Sequence, residues 1–285
     1  MRMTETVRAV LSAARKALNA ANIDTAALDA RLLFQAATGL THEIIVAEPE
    51  RILSKTQLKA FENFLKRRLA DEPVSRILGD REFYGRRFQI SSAVLDPRAD
   101  TETLIELALE HVNPFGQILD IGTGSGIIAV TLLAERPNLC GMAVDVSAPA
   151  LQIAKTNAFA LGVSSRLQFH CGSWFHRLRE KYDLIVSNPP YIPHNDIADL
   201  NENVKNYDPH IALDGGPDGL FAYRAIAAGA AAHLNSSGLV ILEIGAGQAA
   251  DVTTIFETHG FQPVANRQDL GGHLRALAFN HQIST

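Results

Sequence analysis

Leu119-Asp120-Ile121-Gly122-Thr123-Gly124-Ser125-Gly126-Ile127-Ile128-Ala129 runs from one apolar stretch through three glycines into a second. The expected path is a strand at 117–121, a glycine turn and a helix, because glycine permits close backbone approach and a helix N-terminus offers unpaired N–H groups to a ligand. A dinucleotide fold asks for G-x-G-x-x-G, yet the position after Gly126 is Ile127, so the spacing here is G-x-G-x-G. A turn that only joins strand to helix is the alternative. Asp145 ends the next apolar run, 23 residues after Gly122. A carboxylate at that place can accept both hydroxyls of a ribose; alternatively, it caps the helix that carries Ala150 and Ala154.

Outward from this turn, short apolar runs at 140–144, 167–170, 184–187, 240–244, 261–264 and 274–279 alternate with helical stretches. Strands interleaved with helices predict an α/β fold with a doubly wound, mainly parallel sheet. Upstream the texture differs. Val7, Val10, Leu11, Ala14 and Leu18 fall three and four apart, as do apolar residues in 26–38 and 55–70, so a small helical bundle is expected. At 81–90, aromatic and branched residues flank Gly85, the pattern of a β-hairpin. The expected organisation is a helical domain at 1–78, a hairpin linker at 79–95 and an α/β domain at 96–285.

Composition narrows the function. Of 285 residues, 20% are charged and 47% hydrophobic, enough to bury a core. A formal charge of −5 argues against a broad basic surface for nucleic acid. Residues 1–100 hold 16 basic and 13 acidic side chains, against 10 and 18 in 101–285, so the helical part is the better contact for an acidic partner. Cys140 and Cys171 are too few for a disulfide framework. The histidines show no H-E-x-x-H spacing, and no metal is expected. Arg8, Arg15 and Lys16 interrupt the N-terminal apolar residues, and the apolar run at 127–134 is far short of the roughly 20 residues that span a bilayer. The expectation is a cytoplasmic protein without a membrane partner.

The most specific signal is Asn188-Pro189-Pro190-Tyr191, which follows the buried-strand pattern of 183–187. Each residue before a proline is pushed toward extended backbone, and neither proline has an N–H. The segment is therefore a stiff turn that presents acceptors, the Asn188 side-chain carbonyl and the Pro189 backbone carbonyl. Two fixed acceptors can hold both hydrogens of a planar NH₂ group while Tyr191 stacks on its plane. An amide or aromatic amine is the expected substrate. Its nitrogen lone pair is delocalised, so positioning matters more than a strong base, and an alkylated nitrogen can release its proton to water.

With these residues in view, the chain resembles the release-factor glutamine N5-methyltransferases, the HemK or PrmC family. The likeness spans nearly the full length and includes Pro73-Val74-Ser75-Arg76-Ile77-Leu78-Gly79, Leu95-Asp96-Pro97-Arg98-Ala99-Asp100-Thr101-Glu102, Asp208-Pro209 and Glu243-Ile244-Gly245 with Gln248. It implies a class I, Rossmann-like methyltransferase sheet with an N-terminal substrate-recognition domain. It implies S-adenosylmethionine as cofactor, S-adenosylhomocysteine as product, and as substrate the glutamine of the Gly-Gly-Gln motif in class I peptide chain release factors. Carried over, Asp120, Gly122, Thr123, Gly124, Ser125, Gly126, Asp145, Trp174 and Asn188 hold the cofactor. Asn188, Pro189, Pro190 and Tyr191 bind the glutamine amide, with Asn188, Pro189 and Tyr191 the catalytic set.

Three positions depart from the family: Ser173 where aspartate is usual, Ala99 where proline is usual, and Leu274 where aspartate is common. Asp100, Thr101 and Glu102 also read as the cap and first turn of a helix at 103–111. The rival functions are N5-methylation of a ribosomal-protein glutamine and N6-methylation of adenine in nucleic acid. The net acidity of 101–285 and the lack of a basic, aromatic-studded stretch disfavour the latter, so no stable nucleic-acid partner is expected. A module that only senses a nucleoside has no use for Asn188-Pro189-Pro190-Tyr191.

Overall fold

Polar caps and apolar stripes set the N-terminal helices in the computed structural model, which describes residues 5–281. The outer ends of the expected domains, 1–4 and 282–285, lie outside the described residues. Helix α1 (Val7–Ala20) starts where Thr6 Oγ1 accepts the Ala9 N–H at 3.3 Å, and α2 (Ala26–Thr38) ends on Gly39 at φ 71°. Short α3 (His42–Ala47) follows, then α4 (Lys55–Leu69), opened by a Ser54–Gln57 capping box, and α5 (Val74–Leu78). Leu18, Leu33, Phe34 and Phe61 are fully buried among them, with Phe34 and Phe61 edge to face at 5.2 Å. Arg68 of α4 pairs with Asp29 of α2 at 2.7 Å, both nearly buried. Periodicity in the sequence marks α1, α2 and α4. Helices α3 and α5, of six and five residues, are too short to show a period.

These helices form one compact unit, the described residues up to Gly79, and the described residues from Asp80 on form another. The second opens with a hairpin, β1 (Asp80–Phe83) and β2 (Arg86–Gln89), whose two turn residues Tyr84 and Gly85 sit at φ 49° and 69°, as a tight type I′ turn requires. Phe83 and Phe88 bury with Leu104 and Ile105 of α6 (Thr101–His111), so the hairpin packs as part of the second unit.

The remaining elements are β3 (Gln117–Ile121), α7 (Ile127–Glu135), β4 (Cys140–Asp145), α8 (Ala148–Ala160), β5 (Leu167–Cys171), β6 (Tyr182–Ser187), α9 (Glu202–Lys205), α10 (Phe221–Ala230), β7 (Leu234–Glu243), α11 (Ala249–Thr258), β8 (Phe261–Gln268) and β9 (Leu274–His281). They build a seven-stranded sheet in the order β5-β4-β3-β6-β7-β9-β8. Strands β5 to β7 pair in parallel, and β9 runs antiparallel between β7 and β8. The chain leaves β3 to one side for β4 and β5, then crosses back to lay β6 on the other side. At such a reversal the carboxyl ends of neighbouring strands diverge into a crevice.

One strand is longer than its sequence reading. The apolar run at 240–244 marks only its second half, and β7 begins at Leu234 and ends at Glu243. Leu234 pairs with Tyr182, the register shifts before Leu184, and Asn235 Nδ2 donates to Asp183 Oδ1 at 2.7 Å. Side-chain anchoring to β6 carries the strand through a stretch without strand-forming residues. Among the described residues no helix is long and apolar enough to cross a membrane.

Candidate active site

The glycine turn is folded back over the end of β4. Gly122 and Thr123 both donate their N–H groups to Val144 O, at 2.8 and 3.0 Å. Gly122 and Gly124 hold φ of 70° and 54°, and a Cβ on either would meet nothing within 4 Å, so the face above them is open to a ligand. Gly126 differs. Its Cβ would lie 3.0 Å from Ala154 Cβ, so this glycine lets α7 close on α8. Asn157 of α8 fastens the same turn: its Nδ2 donates to Ser125 O at 2.8 Å and to Gln89 O at 2.9 Å. Nothing in the sequence around Asn157 marks it.

A cavity of about 340 Å³ opens at the strand ends. Of the residues expected to bind cofactor or substrate, Gly122, Thr123, Gly124, Ser125, Asp145, Trp174, Asn188, Pro189 and Pro190 line it. Three do not. Gly126 faces α8, as above. Asp120 is fully buried beneath the turn, where Oδ2 accepts the Thr123 hydroxyl at 2.6 Å and the Ala129 N–H at 3.2 Å. It shapes the loop from behind and does not reach the cavity. Tyr191 turns toward the cluster around Tyr223 and Ile244, its backbone carbonyl held by Gln248 Nε2 at 3.0 Å. The rigid Pro-Pro turn carries it past the wall where a stacked ring was expected.

Asp145 meets the cavity from the end of β4. Its Oδ2 accepts the Gly124 N–H and its Oδ1 the Ser147 N–H, each at 2.8 Å. The cap of α8 is Ser147, whose Oγ accepts the Ala150 N–H at 3.2 Å, so Asp145 is not spent on that helix. Trp174 lines the far wall at φ 50°, a strained value for a bulky residue. Half-exposed Phe221, unmarked in the sequence, stands 6.5 Å from its ring. Ser173 lines the cavity beside it.

Asp100 holds the N-cap position of α6, and Thr101 and Glu102 its first turn, as the cap reading expects, with the helix starting two residues before 103. The Asp100 side chain makes no cap hydrogen bond and pairs with Arg275 at 3.1 Å. Glu102 Oε1 accepts the Tyr84 N–H at 3.1 Å. Thr101 Oγ1 accepts from Asn188 Nδ2 at 3.2 Å. In the same segment Arg98 pairs with Asp208 at 2.6 Å, and Asp208 Oδ1 also takes the Asp96 N–H at 3.0 Å. Thus the stretch 95–102 is a strap tied to Asp208 and Arg275 along one side of the cavity.

Burial pushes the Asp120 carboxyl up to about 7, against its Thr123 and Ala129 hydrogen bonds. An unfolded aspartate titrates near 3.8. Between these values the folded chain binds the extra proton, so Asp120's contribution to stability is full at low pH and falls as pH rises toward 7. The limiting slope is about 1.4 kcal/mol per pH unit. In Asp120→Asn, thermal unfolding of the ligand-free protein between pH 5 and 7 should show a shallower loss of stability than wild type. An unchanged slope would assign the ionisation elsewhere.

Comparison with known proteins decides the family. A release factor glutamine methyltransferase of Cereibacter sphaeroides is 47% identical over 94% of this chain and 96% of its own length. The chain belongs to the release factor glutamine methyltransferase family. Another member, from Agrobacterium fabrum, is 43% identical over 96% of this chain and 97% of its own. Residues 9–79 match the family described as PrmC N-terminal domain, and residues 91–205 the one described as methyltransferase small domain. A methyltransferase from Pyrococcus furiosus shares the fold, with a TM-score of 0.54 and 16% identity, over 78% of this chain and all of its own.

Proposed function

We propose that the second unit transfers a methyl group from S-adenosylmethionine to the side-chain amide nitrogen of the glutamine in the Gly-Gly-Gln motif of class I release factors. One observation carries the reading. Asn188-Pro189-Pro190 stands at the carboxyl end of β6, on the wall of the same cavity that the glycine turn and Asp145 border.

The residues present fit such a cofactor. There is open space over Gly122 and Gly124, a carboxylate at Asp145, an aromatic wall at Trp174 and a volume of about 340 Å³, within the range of ligand pockets. When bound, S-adenosylmethionine supplies an electrophilic sulfonium methyl group. Asp145 accepts the ribose hydroxyls and Trp174 flanks the adenine. Asn188 Oδ1 and Pro189 O accept the two hydrogens of the glutamine amide, which fixes the nitrogen and favours its pyramidal form. The stiff prolines keep both acceptors in place without reorganisation. Tyr191 supports the turn from the core side.

The helical unit meets the protein substrate. In support, it carries a groove where Arg8, Arg15 and Arg31 stand beside Leu11, Leu28 and Val46, which combines positive charge with apolar area. The test is transfer of labelled methyl to purified release factor, to the same factor with the Gly-Gly-Gln glutamine replaced, and to ribosomal protein, DNA and RNA. Label on the intact factor alone is expected. Equal label on the altered factor, or label on nucleic acid, overturns the reading.

A further inference from the structure

Asn188 is held from behind by a buried carboxyl group. Glu243 is the last residue of β7, and the neighbouring pair Ser187 and Leu242 places it beside Asn188 at the strand ends. It is 1% exposed. Its backbone carbonyl accepts the Tyr223 hydroxyl at 3.0 Å, and its side-chain carboxyl lies beside the Thr101 hydroxyl and Asn188, both of which favour its charged form. Oε2 is buried without a hydrogen-bond partner. Thr101, 2% exposed, in turn accepts from Asn188 Nδ2 through Oγ1 at 3.2 Å.

These bonds have a direction. A carboxylate can only accept, so the Thr101 hydroxyl must donate to it and is left with lone pairs facing Asn188. What Asn188 turns inward must then be its NH₂, and its carbonyl oxygen is the end left for the cavity. The two ends of an amide have nearly the same shape, so packing alone does not choose between them.

We propose that Glu243 is a positioning residue for methyl transfer: as a carboxylate it fixes, directly and through the Thr101 hydroxyl, which end of the Asn188 amide faces the substrate. The inference rests on the reading that Asn188 and Pro189 hold the glutamine amide. Glu243 does not border the cavity, touches neither substrate nor cofactor, and acts through Asn188.

The charged and titratable groups facing Glu243 are Asp100 at the start of α6, Arg275 on β9, Tyr191 after β6 and Tyr223 on α10. Arg275 is shared with Asp100 and Asp269, at 3.1 and 2.9 Å. Burial pushes the Glu243 carboxyl up to about 7, opposed by the Thr101 hydrogen bond and Arg275 and assisted by Asp100. A protonated carboxyl is a donor. It can donate to Thr101 Oγ1, whose own hydrogen then points at Asn188 and stabilises the flipped amide. That amide would meet the substrate NH₂ with a second NH₂. Activity is therefore lost as pH falls through the ionisation of Glu243 and is full above it.

The experiment measures kcat for methyl transfer to release factor, with both substrates saturating, from pH 5.5 to 8.5. Wild type is expected to fall about tenfold per pH unit below a midpoint near 7. Glu243→Gln, of the same shape but without the ionisation, is expected to plateau about tenfold lower and to show no acid limb, with the Kd for S-adenosylmethionine unchanged. Thr101→Val is expected to lose rate, and Thr101→Ser, which returns the hydroxyl, to recover most of it. Thermal midpoints of all variants verify folding, and the threonine pair carries the test if Glu243→Gln does not fold. A Glu243→Gln enzyme with the wild-type plateau and acid limb overturns the inference, as does a Thr101→Val enzyme with the wild-type rate. Wild-type transfer to release factor lacking the target glutamine overturns instead the reading beneath it.

Discussion

Asn188→Ala lowers kcat for release-factor methylation by about a hundredfold, in the range found when a preorganised partner of a developing charge is removed, while the Kd for S-adenosylmethionine changes by less than about threefold. The nitrogen to be methylated must give up its conjugation, and interactions that hold its two hydrogens out of plane strengthen as it does so. An acceptor used mostly in the transition state appears in kcat. Alanine also strands Thr101, which accepts from Asn188 at the cavity wall, and a water there cannot fix the direction that the amide carries. Single-turnover methyl transfer beside calorimetric cofactor titration separates the two effects. Equal losses in kcat and in cofactor affinity would mean that Asn188 serves the cofactor and not the amide.

Asp145→Ala has the opposite signature. The Kd for S-adenosylmethionine rises about a hundredfold, as loss of charge-assisted hydrogen bonds of 1.5–3 kcal/mol apiece suggests, and kcat at saturating cofactor stays within about threefold. The side chain has two tasks. Each oxygen already takes one backbone N–H, from Gly124 and from Ser147, and each keeps a lone pair for a ribose hydroxyl. Removing the carboxylate deletes the ribose acceptors and releases the glycine turn. Calorimetric titration of the variant measures the first loss. An unchanged Kd would show that the backbone turn alone holds the nucleoside.

Much of this site is legible in the sequence because its signals are local. Gly122 and Gly124 are needed where the backbone turns left-handed, and that need falls on the residue itself. The prolines after Asn188 restrict their own neighbours. Asp145 is marked by its place at a strand end. Asp120 and Tyr191 were equally visible yet lie outside the cavity wall. An acidic residue before a glycine turn can point into the turn or beneath it, and a ring after Pro-Pro can face the cavity or the core. Burial beneath Thr123 and Ala129 decides the first, and the tether from Gln248 to the Tyr191 carbonyl the second.

By itself the sequence determined a helical N-terminal part, a hairpin, a doubly wound sheet and the two segments that line the cavity, since each rests on local periodicity or backbone restriction. Only the tertiary structure decided that β9 lies antiparallel between β7 and β8, because a strand pair joined by a turn can add to a sheet by either member. It also gave Asp100, Thr101 and Glu102, the cap position and first turn of α6, their distant partners Arg275, Asn188 and Tyr84. Thr101 and Asn188 are 87 residues apart. Such a pair meets only when strand order and register bring the end of β6 against the start of α6, and no local preference of either residue contains that information.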